Sequence, residues 1–491
     1  MSIMTNALLL PNWIVTDALI DDDGVYQIAA SPKHPPVYCS KCDRQSELSP
    51  IGTKPLKCVD APVHGRQTFV TITLTRYQCG TCRGTFWESV GDFHPKRRMA
   101  HRCVRYIQNK SLLIPNTHVA EEVGVDESTV RRISNEHADA LNAQHRRELR
   151  APRLMGMDET TLAGSMRAVF VNLEDGWPFE LLANHKSATI ENFLLNLPGY
   201  KDVEVVTMDL FGPYRQIVEA VMPQAAIVAD KWHVTKMANE AMTQARLKCQ
   251  KTLQENERLE LVRCRGLFQV RHKKLSAAQQ LSLDGWLRNY DGLREPYWIK
   301  EAFFSVWDHA SRESARVALH NWRASIPDDL EELFKKAINA SVEWENEILN
   351  FFSYNRLTNA VVERRNKDFK AIQRQGSNND FETIRNRALF GKPAGRKKAE
   401  YLAKLKAWRE TNPTCVTCSQ PFDEAAEESV KKAASHPLTP RSFTIGYKEC
   451  HACLQAEEDW WKFGWKANAE EMNIRYQAMQ AAKEAAESEG S

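Results

Sequence analysis

The sequence predicts an α/β protein with small metal-dependent modules at both ends. Three observations carry that prediction. Residues 154–229 read as three consecutive strands followed by alternating helix and strand, the stretch after 236 is long, charged and nearly free of helix breakers, and eight of the twelve cysteines fall into four CxxC pairs. A chain of 491 residues exceeds what one core holds, roughly 250 to 300 residues, so three or four domains are expected.

The net charge is only +3, so any nucleic-acid signal must come from local clusters. One cluster is Lys96-Arg97-Arg98 with Arg102, Arg105 and Lys110; the other runs from Arg364 to Lys398 and includes Lys367, Lys370, Arg374, Arg385, Arg387, Lys392, Arg396 and Lys397. The first residues lack the basic stretch of a secretory signal, and no run approaches the roughly 20 apolar residues of a membrane span. The expected location is cytoplasmic, where cysteines in pairs point to metal rather than to disulfides.

Cys39-Ser40-Lys41-Cys42 and Cys79-Gly80-Thr81-Cys82 form two knuckles around an alternating segment, Thr68 to Leu74. Four thiolates on two tight turns predict a closed tetrahedral Zn2+ site in a zinc ribbon, structural because no coordination position stays open. Cys58 is expected to be an unligated core residue. Cys415, Cys418, Cys450 and Cys453 repeat the pattern and predict a second structural Zn2+.

Thr117 to Ile133 has the spacing of a helix-turn-helix. Ala120 allows close helix crossing, Gly124 makes the turn, Asp126 or Ser128 caps the second helix, and Val130 and Ile133 face inward. That helix would present Ser128, Thr129, Arg131 and Arg132 to DNA.

From Arg153 the pattern changes. Leu154–Asp158, Ala168–Leu173 and Phe179–Leu182 are predicted strands separated by turn residues, followed by a helix over Thr189–Leu197, a strand over Val203–Met208, a helix opened by Gly212-Pro213 and a strand over Ala225–Ala229. This is the order of an RNase H-like fold, in which the first and fourth strands are neighbours. Asp158, closing the first strand, and Asp209, following the fourth, would then meet. Glu363 lies in the basic helix 358–367, on a face shared with Lys367, Lys370 and Arg374, and its alternative is a simple pair with Lys367. Glu382 is the fallback acidic residue. Asp230 and His233 form a DxxH pair after the fifth strand; the alternatives for them are a helix cap and a core histidine.

Asp158-Glu159-Thr160, Met208-Asp209-Leu210-Phe211-Gly212-Pro213-Tyr214, Asp230-Lys231-Trp232-His233-Val234 and Thr358-Asn359-Ala360-Val361-Val362-Glu363-Arg364-Arg365-Asn366-Lys367 together resemble the insertion-sequence transposases of the ISL-three family. Arg76 to Cys82 with Thr85-Phe86 is similar to that family's zinc-binding segment. The resemblance covers roughly residues 35–395. It implies a bacterial DDE transposase with Asp158, Asp209 and Glu363 as catalytic ligands of Mg2+ (or Mn2+), with Asp230 and His233 in support near the site. It also implies double-stranded DNA partners, both element inverted repeats and target, and a homo-oligomer that is at least a dimer on DNA. The residue after the glutamate, often glycine in that family, is Arg364 here.

Independently of the family, carboxylates beside a cationic helix suit two-metal phosphoryl transfer, and Mg2+ suits all-oxygen ligands. A second reading, a catalytically inactive zinc-containing DNA-binding regulator derived from a transposase, keeps the ribbon and the helix-turn-helix and uses the core as scaffold.

The expected organisation is 1–95 for the N-terminal segment and ribbon, 96–150 for the helix-turn-helix and 151–245 for the first part of the core. An all-helical insertion follows over 246–349, then 350–400 for the last part of the core with the Glu363 helix, and 401–491 for the C-terminal zinc module and tail. Lys236 to Lys274 is expected to be one long helical stretch, and most of Trp286, Trp298, Trp307, Trp322 and Trp344 to be core.

Overall fold

The structure is a computed structural model that describes residues 12–391 except 90, 95, 96, 377 and 378. The second cysteine set (Cys415, Cys418, Cys450, Cys453), the tail, and Lys96, Lys392, Arg396, Lys397 and Lys398 lie outside the described residues.

A seven-stranded sheet comes first: β1 (Trp13–Ile20), β2 (Tyr26–Pro32), β3 (Leu48–Val63), β4 (Arg66–Cys79), β5 (Thr85–Trp87), β6 (Phe93–His94) and β7 (Met99–Ala100), in the order β1-β2-β4-β3-β7-β6 with β5 on β4. Thr68, Val70, Ile72 and Leu74 are buried in alternation, as the period of two requires. The long β3–β4 hairpin carries the first cysteine set at one end, where Leu48 pairs with Cys79.

Three helices follow: α1 (His101–Ser111), α2 (Asn116–Val123) and α3 (Glu127–Glu148). Gly124, at φ 76°, ends α2 in the left-handed region that glycine adopts without steric cost. Val119, Ala120, Val123, Val130 and Ile133 are buried together with Ile28, Val70 and Ile72, so sheet and helices share one hydrophobic core. Neither expected side chain caps α3: Asp126 occupies the N-cap position without a side-chain cap hydrogen bond.

The second sheet contains β8 (Leu154–Leu162), β9 (Ser165–Asn172), β10 (Trp177–Leu181), β11 (Val205–Met208) and β12 (Ala226–Ala229), in the order β10-β9-β8-β11-β12. β8, β9 and β10 form an antiparallel meander, and β11 runs parallel to both β8 and β12. Helices α4 (Ser187–Leu195) and α5 (Gly212–Val221) cover one face through Ile190, Leu194, Ile217 and Val218.

The segment after β12 is helical: α6 (Lys231–Gln250), α7 (Glu255–Arg263), α8 (Ala277–Asn289), α9 (Asp291–Ser305), α10 (Arg312–Ala324), α11 (Asp328–Glu343) and α12 (Glu345–Ser353). The single long stretch expected over Lys236–Lys274 is broken. Thr252 turns its hydroxyl back onto the Cys249 carbonyl, and a reciprocal capping box between Gln254 and Glu257 starts a new helix. Trp307, Trp322 and Trp344 are core residues, whereas Trp298 is 47% exposed. No helix among the described residues is long and apolar enough to cross a membrane.

Finally α13 (Ala360–Arg374) and α14 (Phe381–Phe390) close over the second sheet. α13 lies directly on β8 because residue 156 is glycine: a Cβ there would collide with Val362 and come within 3.3 Å of the Asn359 Oδ1.

Candidate functional site

The first cysteine set is brought together. One Sγ each from Cys39, Cys42, Cys79 and Cys82 lies within a common 4.8 Å, with 3.7 Å between Cys39 and Cys82 and 4.0 Å between Cys42 and Cys79. Sulfurs bound to one tetrahedral Zn2+ at about 2.3 Å stand about 3.8 Å apart, so this set fits the ion. Cys58 stays apart in the core, where burial pushes its thiol up to about 11.

The acidic residues are aligned by strand register. Thr207 pairs with Gly156 and Met208 with Ala229. Carried on by two residues and one residue respectively, these registers set Asp158, Asp209 and Asp230 in one row across β8, β11 and β12, at neighbouring-strand spacing of about 4.8 Å. Asp158 does not end its strand as expected. β8 runs on to Leu162, held by β9, and only the pairing with β11 stops before Asp158, which leaves its carboxylate at the sheet's open step.

The carboxyls act on one another's charge. Burial, then the charge of Asp209 and, more weakly, that of Glu363, push the Asp158 carboxyl up to about 7. Burial, then Asp230 and Glu363, push Asp209 up to about 7 as well. Asp230 is 2% exposed and is also raised, by burial. A divalent cation relieves this repulsion, so the donor set fits a hard or borderline metal ion.

Asn359 fixes this geometry. It is fully buried; its Nδ2 donates to the Met157 carbonyl (3.1 Å), its Oδ1 accepts from the Thr207 hydroxyl (2.8 Å), and its backbone N–H reaches Asp230 Oδ1 (3.3 Å). Its carbonyl accepts the Glu363 N–H at 3.0 Å, starting the helix that holds Glu363 over β8. One residue therefore ties together the segments bearing Asp158, Asp209, Asp230 and Glu363. Asn366, one helical turn past Val362, donates to Asp158 Oδ2 at 2.7 Å. Sequence reasoning missed both asparagines. Their signal was the recurrence of polar residues at 359, 363 and 366 on a helix whose Val362 and Phe369 are apolar.

His233 Nε2 lies 3.1 Å from Asp209 Oδ2, and Asp209, Asp230 and His233 each offer a ligand atom within a common 4.8 Å. Of the alternatives for this pair, Asp230 does occupy the N-cap position of α6, without a side-chain cap hydrogen bond but with the Trp232 and His233 backbone N–H groups favouring its charge, whereas the His233 side chain is partly exposed rather than core. Glu363 is half-buried and makes no ion pair with Lys367 among the described residues; Lys367, Lys370 and Arg374 are exposed along the same helix. Glu382 sits on α14, 65% exposed and 4.0 Å from Arg385, away from this group. Phe211 and Trp232 are exposed aromatics immediately beside it, at 44% and 53%.

The basic clusters thin out on inspection. Arg102 is paired with the buried Asp60, Arg97 with Glu136 and Lys110 with Glu122. Arg385 grips Glu180 through two bonds of 2.7 and 2.8 Å, and Arg387, 5% exposed, satisfies the carbonyls of Ser111 and Ile114. These side chains are engaged within the fold. On α3, Ser128, Arg131 and Arg132 are exposed and Thr129 is partly so, with Arg131 paired to Glu127 one turn back.

A mixed five-stranded sheet whose adjoining parallel strands present a row of carboxylates under a basic helix defines an α/β protein with an acidic, cation-ready centre. Comparison with protein families places it further: residues 155–387 match the family described as a transposase, of the ISL-three type. The match begins in β8 and ends in α14, so it contains the whole acidic group. No curated protein matches the chain.

Proposed function

We propose that the chain is a DDE transposase of a bacterial insertion sequence, acting on double-stranded DNA. It binds terminal inverted repeats, hydrolyses a phosphodiester at each element end and joins the freed 3′-hydroxyl to target DNA. The observation that carries this reading is the strand register that sets Asp158 beside Asp209, with the Glu363 helix packed on β8, within a transposase-family domain. The strand order, with the first and fourth strands adjacent, supports an RNase H-like core.

In this reading Asp158, Asp209 and Glu363 hold divalent cations, Mg2+ or Mn2+, which when bound activate the attacking oxygen and neutralise charge on the leaving one. Water attacks phosphorus, the P–O3′ bond breaks, and a 3′-hydroxyl and a 5′-phosphate remain; the 3′-hydroxyl later attacks a target phosphodiester in the same way. Asn366 orients the Asp158 carboxylate. Lys367, Lys370 and Arg374 track the backbone past the site, and Phe211 and Trp232 offer faces on which an unpaired end base stacks. Ser128, Thr129, Arg131 and Arg132 enter the major groove. The Zn2+ at Cys39, Cys42, Cys79 and Cys82 is structural, as is the one assigned to Cys415, Cys418, Cys450 and Cys453. Paired element ends require at least two active sites, hence a homo-oligomer on DNA.

A supercoiled donor plasmid carrying matched inverted repeats, incubated with Mg2+ and the full chain, tests this. The expected outcome is 3′-hydroxyl release that falls on the order of a thousand-fold in Asp158→Ala. Binding of the ends without any release by the wild type would favour the regulator reading instead.

A further inference from the structure

The DxxH pair is not used by the three-carboxylate scheme, yet with Asp209 it makes a potential ligand group of three among the described residues. We propose that Asp209, Asp230 and His233 form a distinct binding site for a first-row divalent transition cation of the Mn2+ class, adjoining the Asp158–Glu363 side of the centre and sharing Asp209 with it. The proposal rests on the transposase reading and deepens it: the two cation positions are chemically unlike.

The geometry suits one ion. Ligand atoms bound at about 2.0 to 2.2 Å stand roughly 3 to 4.3 Å apart around an octahedral centre. The three atoms here lie within 4.8 Å of one another, and the 3.1 Å between His233 Nε2 and Asp209 Oδ2 already equals the edge between adjacent ligands. Small side-chain rotations complete the set.

A second observation points to a cation independently. Asp230 is 2% exposed, and its Oδ2 is buried with no hydrogen-bond partner, while Oδ1 is held by the Asn359 N–H at 3.3 Å. A buried carboxylate oxygen left without a partner is strongly disfavoured unless a positive charge sits opposite it. Asp209 and His233 share its ligand group, and of these only His233 can carry a positive charge. Burial fixes the carboxylate, and the half-exposed imidazole leaves a path from solvent.

The donor chemistry selects the metal. Two carboxylate oxygens and one imidazole nitrogen favour manganese, iron or zinc over magnesium and calcium, which prefer oxygen alone. Asp158, by contrast, lies outside that ligand group and is held by the Asn366 amide.

The test uses the full chain with its cysteine sites already filled by Zn2+ and Mn2+ as the probe. Electron spin-echo modulation of bound Mn2+ is expected to show coupling to a 14N nucleus in the wild type and in Asp158→Asn, and to lose it in His233→Ala. The isosteric Asp230→Asn is expected to weaken Mn2+ binding by about tenfold or more. Absence of bound Mn2+, bound Mn2+ without nitrogen coupling, or coupling that persists in His233→Ala would each overturn the site. Cleavage in Mg2+ that depends on Asp158 alongside nitrogen-free Mn2+ would sink this inference alone. Undiminished cleavage by Asp158→Ala would sink the reading beneath it.

Discussion

The cysteine cluster and the acidic cluster are both built to gather like-charged ligands, but they are assembled by opposite means. Each pair of thiols comes from one tight turn, Cys39 with Cys42 and Cys79 with Cys82, and a single hairpin joins the two turns. The acidic group takes one carboxylate from each of four segments, β8, the ends of β11 and β12, and α13, and a buried asparagine holds them in place. Local assembly predicts a first site whose folding depends on a metal, and global assembly a second site that is set by the sheet.

The largest expected consequence lies in the ribbon. Cys79→Ser removes one of four ligands and one of the few buried side chains of a small core that otherwise contains only Cys39, Tyr77 and Phe86. Because metal binding and folding are one event in such modules, this variant should lose a full equivalent of zinc by elemental analysis and melt the ribbon's hairpin end. Retention of zinc at wild-type stoichiometry would erase the contrast between the two sites.

Next in size is the pin of the acidic centre. Asn359→Ala leaves the Thr207 hydroxyl and the Met157 carbonyl without their buried partner, so global stability should drop by about 1 to 3 kcal/mol in a denaturant titration. Cleavage should fall with it, even with stability restored by low temperature, because Glu363 loses its register over β8. A stable Asn359→Ala protein with full cleavage would show that the four segments hold themselves.

These two sites also differ in how far the sequence alone disclosed them. CxxC spacing discloses its geometry more directly, since two cysteines three positions apart on one tight turn bring both thiols to the same side. The acidic row was legible only through the strand order, and that order did bring residue 158 beside 209. What pattern reading missed follows from tertiary context. The continuation of β8 past Asp158 is imposed by β9, not by local apolarity. Asn359 reads as an ordinary polar residue until β8 and β11 surround it. Arg385 and Arg387 look like phosphate ligands in a basic run, because nothing in one dimension shows that Glu180 and the Ser111 carbonyl lie opposite them.

A smaller effect separates the sites by pH. Asp158 and Asp209 have ordinary carboxyls near 3.8 in the unfolded chain and are raised to about 7 in the fold. Between those values the folded state binds more protons than the unfolded one, so the metal-free centre costs stability progressively as pH rises through that window. A divalent cation takes the protons' place. Saturating Mg2+ should therefore raise the melting temperature more at pH 8 than at pH 5.5, and Asp209→Asn should remove most of that difference. An Mg2+ effect independent of pH would mean the carboxyls are not in mutual reach.

The smallest expected change concerns the cationic face. Lys367 is exposed on the turn after Glu363 and makes no ion pair among the described residues, unlike Arg385, which pairs with Glu180, and unlike Arg387, which is buried against two backbone carbonyls. If it meets a phosphate, Lys367→Ala should weaken binding to a duplex carrying the element end and reduce the slope of log affinity against log salt by about one, without altering the preference for that sequence. Arg387→Lys should do the reverse, leaving the salt slope unchanged while loosening the carbonyls of Ser111 and Ile114 and lowering thermal stability. The pair thus separates two kinds of positive charge that the sequence presents alike: one buried with its donors spent on the protein's own carbonyls, and one exposed to solvent.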